Sequence, residues 1–217
     1  MITVILTARD QEAELAFCHS ALVPAATEGV VREVVLLDGG SRDGTRTVAD
    51  AAGCTIREGS GGAALRSAAL AARADWLLFL SAATVLEPAW QGEAAAFVDA
   101  ALLTGVVERA ATFRLGGMEA GWRFALDEWK ANVATRLFSA PRAEQGLLIS
   151  RGFYEALGGH RQRQADCERD LARRIGRRRL TLLRARALIQ PKIGVSSMRG
   201  EASGAALPAS DARRGAA

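Results

Sequence analysis

An α/β chain built on a doubly wound, mostly parallel sheet flanked by helices is what this sequence predicts. Three observations carry that reading. Short apolar, β-branched runs alternate with longer runs of helical spacing through the first hundred residues, as expected when helices cross between parallel strands. The apolar runs show no polar alternation, so they read as strands buried on both faces. The breaks between them are rich in Gly, Ser and Asp, the residues of turns and helix caps. At 217 residues the chain is long enough for one domain with a real core.

Taken in order, "ITVILTA" (Ile2–Ala8) is the first buried strand. "EAELAFCHSALVPAA" follows as a helix with Leu15, Cys18, Leu22 and Val23 at helical spacing. Val31 to Leu37 form a second strand that ends in Asp38 and the glycine turn "GGSRDGT". A helix over about 45–52 and a short strand, "CTIRE", come next. "GSGG" is a loop opening a helix from about Ala63 to Arg73, and "DWLLFL" is the next buried strand. Helix resumes after Pro88, a residue tolerated in a first turn. The second half is less regular. "RAATFRL" reads as a strand and "AGWRFALDEWKANVATRLFS" as an amphipathic helix with Trp122, Leu126, Trp129, Val133 and Leu137. "QGLLISRGFYEALGG" reads as strand, turn and short helix closed by glycines. An arginine-rich helix and a last strand, "RLTLLRARALI", complete the domain over residues 1–190. Its first hundred residues form the half with the strand tips, and 101–190 the second half. Residues 191–217, rich in Gly, Ala, Ser and Pro, bury too little apolar surface to fold and are expected to be a disordered tail.

Net charge is +4, with the excess concentrated in 161–186, "RQRQADCERDLARRIGRRRLTLLRAR". Such a block suits a solvated helix face, an anionic membrane surface or a phosphorylated substrate. Nothing in the sequence has the zinc-finger spacing or aromatic–basic interleaving of a nucleic-acid binder. Three cysteines, Cys18, Cys54 and Cys167, are far apart and form no Cys-x-x-Cys pair, which suits a reducing compartment and argues against a disulfide framework or zinc site. His19 and His160 are too far apart in sequence to suggest a shared metal or triad. The N-terminal stretch lacks the basic region of a secretion signal, and no apolar run approaches the ~20 residues of a membrane span. A soluble, cytoplasmic protein is expected, with the 161–186 segment available for peripheral contact with the inner membrane surface.

In a parallel α/β sheet, ligands bind beyond the carboxyl ends of the strands. Three tips therefore matter: Ala8–Arg9, Asp38, and Ser81–Thr84. Asp38 can accept hydrogen bonds from a base or sugar, with Gly39 and Gly40 allowing close backbone approach. The alternative is that Asp38 and Ser41 cap the turn into the next helix. Glu168, Leu171, Ala172 and Ile175 lie at i, i+3, i+4 and i+7, so Glu168 shares the buried face of its helix and stands at the edge of a cleft. A carboxylate so placed can take a proton from a hydroxyl; otherwise it serves the helix N-terminus or an arginine. Asp166 is a competing carboxylate or an N-cap, and Asp170 is expected to pair with Arg173 or Arg174 on the wet side.

The ordered set "VVLLDGGSRDGT", "ADWLLFLSAAT" and "QGLLISRGFYEALGG…ERDLARRIGRR" resembles glycosyltransferase family 2, in particular its bacterial members with short, soluble GT-A domains. The resemblance spans roughly residues 2–186. It implies a GT-A-like fold, a nucleotide-diphospho-sugar donor over the strand tips and inverting transfer to an acceptor hydroxyl. Position by position, it puts Ala8 and Arg9 at the nucleobase pocket, Asp38 on the base, and Glu168 at the catalytic base. The donor site it implies takes in Ala8, Arg9, Asp38, Gly62, Arg66, Ser81 and Ala83. Several positions depart from the family pattern. Ala83 stands where the family has the aspartate that holds Mg²⁺ or Mn²⁺, and Gly61 where many relatives carry an arginine. Cys167–Glu168 replaces the usual Glu-Asp pair, and Glu144 stands in place of an aspartate after glycine. Either arginines take over the metal's charge, with Arg66, Arg161 and Arg163 as the candidates, or the domain keeps nucleotide binding without catalysis. Residues 110–140 would build the acceptor side, where Trp122 and Trp129, seven apart, suit core packing better than sugar stacking.

Overall fold

The computed structural model describes residues 1–117, 128, 130–135, 142–161 and 167–190. The first half follows the expected alternation: β1 (Ile2–Ala8), α1 (Glu12–Thr27), β2 (Val31–Asp38), α2 (Thr45–Ala51), β3 (Thr55–Glu58), α3 (Gly61–Leu70) and β4 (Trp76–Ser81). A short β5 (Thr84–Leu86) precedes α4 (Trp90–Thr104) and β6 (Ala110–Gly117). Residues 130–135 are helical. A 3₁₀ turn, Ala143–Gln145, leads into β7 (Leu147–Ser150), which runs directly into α5 (Arg151–Ala156). Then come α6 (Cys167–Ile175) and β8 (Leu180–Ile189).

All eight strands join one sheet in the order β3-β2-β1-β4-β7-β6-β8-β5. The half made of β3, β2, β1 and β4 is parallel throughout. β7 runs antiparallel to both β4 and β6. β8 lies parallel to β6, with β5 antiparallel at the far edge. Two apolar clusters cover the two faces. One gathers Leu15, Cys18 and Leu22 of α1 with Ala49 of α2 and Trp90, Ala94 and Val98 of α4. The other gathers Leu65 and Ala69 of α3 with Phe153 and Tyr154 of α5 and Leu171 and Ile175 of α6. Helices on both faces of a largely parallel sheet are the doubly wound arrangement that the buried, non-alternating strands called for.

Several boundaries differ from the sequence reading. Val23 is exposed, because the buried face of α1 runs through Leu15, Cys18, Leu22 and Ala25 and Val23 stands ~100° off it. α3 starts at Gly61, earlier than helix propensity suggests for a Gly-Gly pair, and stops at Leu70. Beyond that end the Arg73 amide donates to Glu33 Oε1 at 2.5 Å, which draws the backbone toward β2. α4 begins at Trp90, since Ala89 adopts the left-handed region at φ 71° and leaves Pro88 outside the helix. β5 went unread because three residues show no periodicity; it exists through pairing Thr84, Val85 and Leu86 with Ile189, Leu188 and Ala187. The tail, residues 191–217, Trp122 and Trp129 lie outside the described residues. Among the described residues, no helix is long and apolar enough to cross a membrane, and the three cysteines are free.

Candidate active site

The strand tips of the parallel half carry two loops that brace each other. The Asp10 amide donates to Ser41 Oγ at 3.0 Å, while the Arg42 amide donates to Asp10 Oδ1 at 2.7 Å. The Glu12 amide donates to Asp43 Oδ2 at 3.1 Å, and the Gly44 amide returns a bond to Glu12 Oε2 at 3.0 Å. Asp43 Oδ1 also accepts from the Thr45 amide and hydroxyl. Burial opposes ionisation of Asp43, yet the bonds from Thr45 and the Glu12 amide outweigh it and hold its pKa below the ordinary aspartate value. Ser41, Asp43 and Thr45 of the motif "GGSRDGT" thus fix the two tips with their side chains, and Arg42 with its backbone amide.

Between those tips lies a cleft of about 260 Å³ lined by Thr7, Ala8, Arg9, Gln11, Leu37, Gly39, Gly59, Ser60, Gly61 and Ser81. Of the expected donor residues, Ala8, Arg9 and Ser81 come together here. Asp38 lies under the cleft, 1% exposed. Its Oδ1 accepts from the Ser41 amide at 3.0 Å and hydroxyl at 2.5 Å. Its Oδ2 is buried without a hydrogen bond among the described residues, 3.7 Å from Arg46 Nη1. The capping alternative describes one oxygen of Asp38, and the other is left over for a ligand or for Arg46.

Gly62 faces a different neighbour. A Cβ there would collide with the Arg161 carbonyl oxygen. The glycine therefore lets α3 approach the His160–Arg161 backbone, a close approach that only a missing side chain permits. Arg66, one turn further along α3, lines a separate hollow with Tyr154, Glu155, Gly158 and Gly159. Arg161 is 62% exposed at its side chain, 3.8 Å from Asp170. Asp170 itself is held by Arg174 at 2.6 Å and is largely buried, so it does not sit on the wet side. Arg163 and Asp166 lie outside the described residues.

Glu168 occupies the first turn of α6, half-buried, with Leu171, Ala172 and Ile175 buried along the same face as the periodicity required. It lines a narrow crevice with Phe79, Arg142, Ala143, Gly146, Leu147, His160 and Ala172. Phe79 and Ser81 sit two apart on β4 and so point to one side of the sheet. Phe79 lines the Glu168 crevice and Ser81 the strand-tip cleft. His160 lines the crevice, and the Arg161 backbone abuts Gly62, the neighbour of cleft residue Gly61.

Arg142 and His160 were not singled out from the sequence as site residues. His160 is 1% exposed, with its ring edge-on to Phe79 at 4.8 Å. Burial and the nearby Arg174 push its pKa down to about 4, against a smaller opposing effect of Asp170. Burial raises the Tyr154 hydroxyl to about 12. The only sequence signal for His160 was its position directly after the Gly158–Gly159 pair.

At the β4 tip, the Ala83 amide donates to Ser81 Oγ at 3.2 Å and its carbonyl accepts from the Gln190 amide at 2.9 Å. Thr84 is fully buried and donates to the Glu144 carbonyl at 3.2 Å, which removes it from the cleft. Among the described residues, no three His, Cys, Asp or Glu side chains converge as a cation site. The neutral tip of Ser81, Ala82 and Ala83 does not fit a divalent ion, which seeks several oxygen ligands and at least one carboxylate.

A parallel half with a cleft at its strand tips, extended by a mixed half beside which α6 holds a half-buried carboxylate, is the GT-A type of glycosyltransferase fold. The chain belongs to glycosyl transferase family 2, whose model matches residues 3–132. Among solved structures, S. aureus TarS 1-349 superposes with a TM-score of 0.64 at 13% identity, covering 87% of this chain and 60% of that one. The mannosyltransferase PcManGT from Pyrobaculum calidifontis, in complex with GDP-Man and Mn²⁺, gives 0.64 at 17% identity over 91% of this chain and 59% of that one. Glucosyl-3-phosphoglycerate synthase from Mycobacterium tuberculosis, in complex with Mn²⁺, UDP and glucosyl-3-phosphoglycerate, gives 0.53 at 18% identity over 92% and 75%. The chain thus spans about 60% of the length of the first two. None of the curated proteins matches it.

Proposed function

We propose that this chain transfers a sugar, with inversion, from a nucleotide-diphospho-sugar in the strand-tip cleft to an acceptor hydroxyl, and that Glu168 is the base. The observation that carries the reading is the position of Glu168: an inward carboxylate on a crevice that shares strand β4 with the cleft of Ala8, Arg9 and Ser81. In the proposed step the acceptor oxygen bonds to the anomeric carbon while the bond to the diphosphate breaks. The leaving nucleoside diphosphate takes the electron pair, and Glu168 takes the hydroxyl proton. A single displacement from the face opposite the leaving group inverts the anomeric centre.

Asp38 would present Oδ2 toward the base, and Arg9, which lines the cleft, supplies positive charge where the leaving diphosphate becomes more negative. A carboxylate-held Mg²⁺ or Mn²⁺ is not part of the proposal, because the residues at the β4 tip do not fit one. That same neutral tip favours a second reading, a nucleotide-binding relative without turnover.

The test is calorimetry and product analysis across a panel of UDP- and GDP-sugars, with Mn²⁺ or with excess chelator, on the wild type and Glu168→Gln. Nucleotide-sugar binding with turnover that persists in chelator is expected. Glu168→Gln should lose on the order of 10²-fold or more in turnover, the range of general-base catalysis, while donor affinity stays near wild type. Full turnover in that variant removes Glu168 from the mechanism. Strict dependence on Mn²⁺ overturns the metal-free reading. Binding without product across the panel selects the second reading.

A further inference from the structure

On the α6 side of the sheet, past the Glu168 crevice, a second hollow of about 260 Å³ is lined by Arg114, Thr135, Arg177, Leu180, Leu182 and Arg184. Among the described residues, three guanidinium groups border it and no acidic side chain does. We propose that this hollow is a binding pocket for a phosphate group, carried by the acceptor of the transfer reaction.

The arginines come from three places that the fold brings together. Arg114 stands on β6, Arg184 on β8, and Arg177 directly after α6. β8 carries an irregularity at this point: Thr112 pairs with Leu182 and Arg114 with Arg186, so two residues of β6 span four of β8. Such a bulge re-aims a side chain and frees backbone amides from the ladder. Here the freed amides of Arg184 and Ala185 both donate to Glu93 Oε2, at 2.8 and 3.0 Å. The bulge is therefore anchored, and with it the base of the Arg184 side chain.

What sets these arginines apart is convergence on one hollow without a carboxylate partner; other arginines unpaired among the described residues, such as Arg32 and Arg57, do not line it. Arg46, Arg73, Arg151, Arg161, Arg174, Arg179 and Arg186 each stand within salt-bridge distance of a carboxylate. Among the described residues, Arg114, Arg177 and Arg184 have no such carboxylate. Three unpaired forks around one hollow favour a multiply charged oxyanion, because each can donate two parallel hydrogen bonds to phosphate oxygens. Leu180 and Leu182 give the floor an apolar surface for the carbon attached to the phosphate. The volume holds a phosphate with a small organic body, since a water occupies ~30 Å³.

The hollow also abuts the site. Thr135, on its rim, donates to Gln145 Oε1 at 3.0 Å, and the Arg142 amide donates to the same oxygen at 2.9 Å. Thr112 donates to the Gly146 carbonyl at 2.6 Å. Arg142 and Gly146 line the Glu168 crevice, so Gln145 and its neighbours form a wall common to both. The acceptor role rests on the transferase reading; phosphate binding does not.

The experiment is calorimetry on the full chain with glycerol 3-phosphate, and co-sedimentation with phosphatidylglycerol or phosphatidylcholine vesicles. Arg114→Gln, Arg177→Gln and Arg184→Gln are compared with the control Arg73→Gln, and UDP binding is followed in parallel. Each pocket substitution should weaken glycerol 3-phosphate about tenfold, the effect of losing one charge-assisted hydrogen bond, and leave UDP binding unchanged. Arginine-dependent binding to phosphatidylglycerol vesicles alone supports the pocket with a lipid as the phosphate source. No binding in either arm, or binding equal in the three variants and the control, overturns it. A chain that binds glycerol 3-phosphate through these arginines but no nucleotide sugar keeps the pocket and loses the transferase.

Discussion

The Tyr154 hydroxyl accepts the backbone N–H of His160 at 3.0 Å and stands 2.9 Å from Nδ1 of the same residue. One hydroxyl carries one proton, and the backbone amide requires its oxygen as acceptor. Among the described residues Nδ1 is the acceptor within reach of that buried proton, so the fully satisfied arrangement has Tyr154 donating to an unprotonated Nδ1 and the neutral ring carrying its proton on Nε2. That Nε2–H is buried without a hydrogen-bond partner among the described residues, in the residue that lines the crevice with Glu168.

His160 should stay neutral and Nε2-protonated across the physiological range, with its pKa near the value of about 4 set chiefly by burial. Because the folded state lowers this pKa from 6.5, the unfolded chain binds the extra proton first as pH falls. The contribution to stability is full above about 6.5, declines from there and is gone below about 4. Nitrogen-detected NMR of the imidazole reads the tautomer, and urea midpoints between pH 4 and 7 read the linkage. His160→Phe should flatten the pH dependence in that window. A His160 that titrates near 6.5 would remove the argument.

Gly62 offers a sharper test of how the two halves meet. Any β-carbon there meets the Arg161 carbonyl, and backbone gives way at greater cost than a side chain. Gly62→Ala should destabilise the fold by about 1–3 kcal/mol, the range of overpacking, although alanine is the better helix former by ~1 kcal/mol. In Gly61→Ala no such neighbour lies within 4 Å, but φ is +74°, so its cost is backbone strain of ~1–2 kcal/mol. Double-mutant analysis with Arg161→Gly tests which atoms of Arg161 set the contact: the carbonyl persists there, so the cost of Gly62→Ala should be unchanged. Relief of that cost would mean the Arg161 side chain, and not its backbone, sets the contact.

The parallel half was legible because its information is local. Buried strands such as Ile2–Ala8 and Trp76–Ser81 announce themselves by unbroken apolar runs, and Glu168 by the spacing of Leu171, Ala172 and Ile175. What could not be read is set by pairing across the chain. β5 exists through the far end of β8, and His160 becomes a site residue only when Gly62 admits its backbone. Gly62 and Arg66 entered the donor site through the family resemblance, on a glycine loop that opens a helix. Which way such a loop faces depends on a segment a hundred residues later.

Gln190, the residue after β8, illustrates that dependence and can be tested directly. It is 5% exposed, and its Nε2 donates to the Glu14 carbonyl at 2.9 Å and the Ala82 carbonyl at 3.2 Å, while its own amide donates to Ala83. The side chain thus ties α1 to the turn between β4 and β5, the turn that carries Ala83. Gln190→Ala leaves two carbonyls without their donor and should cost about 2–6 kcal/mol, at about 1–3 for each unsatisfied buried group. Gln190→Glu keeps the shape but turns acceptor oxygens toward both carbonyls, so it should be the worse of the two at pH 7. Acidification should partly rescue it, because a protonated carboxyl regains one donor. Urea denaturation of both variants at pH 7 and pH 5 decides the matter. If Gln190→Glu at pH 7 is as stable as the wild type, the side chain does not hold this turn, and the position of the β4 tip must be fixed by the Gln190 backbone bond to Ala83 alone.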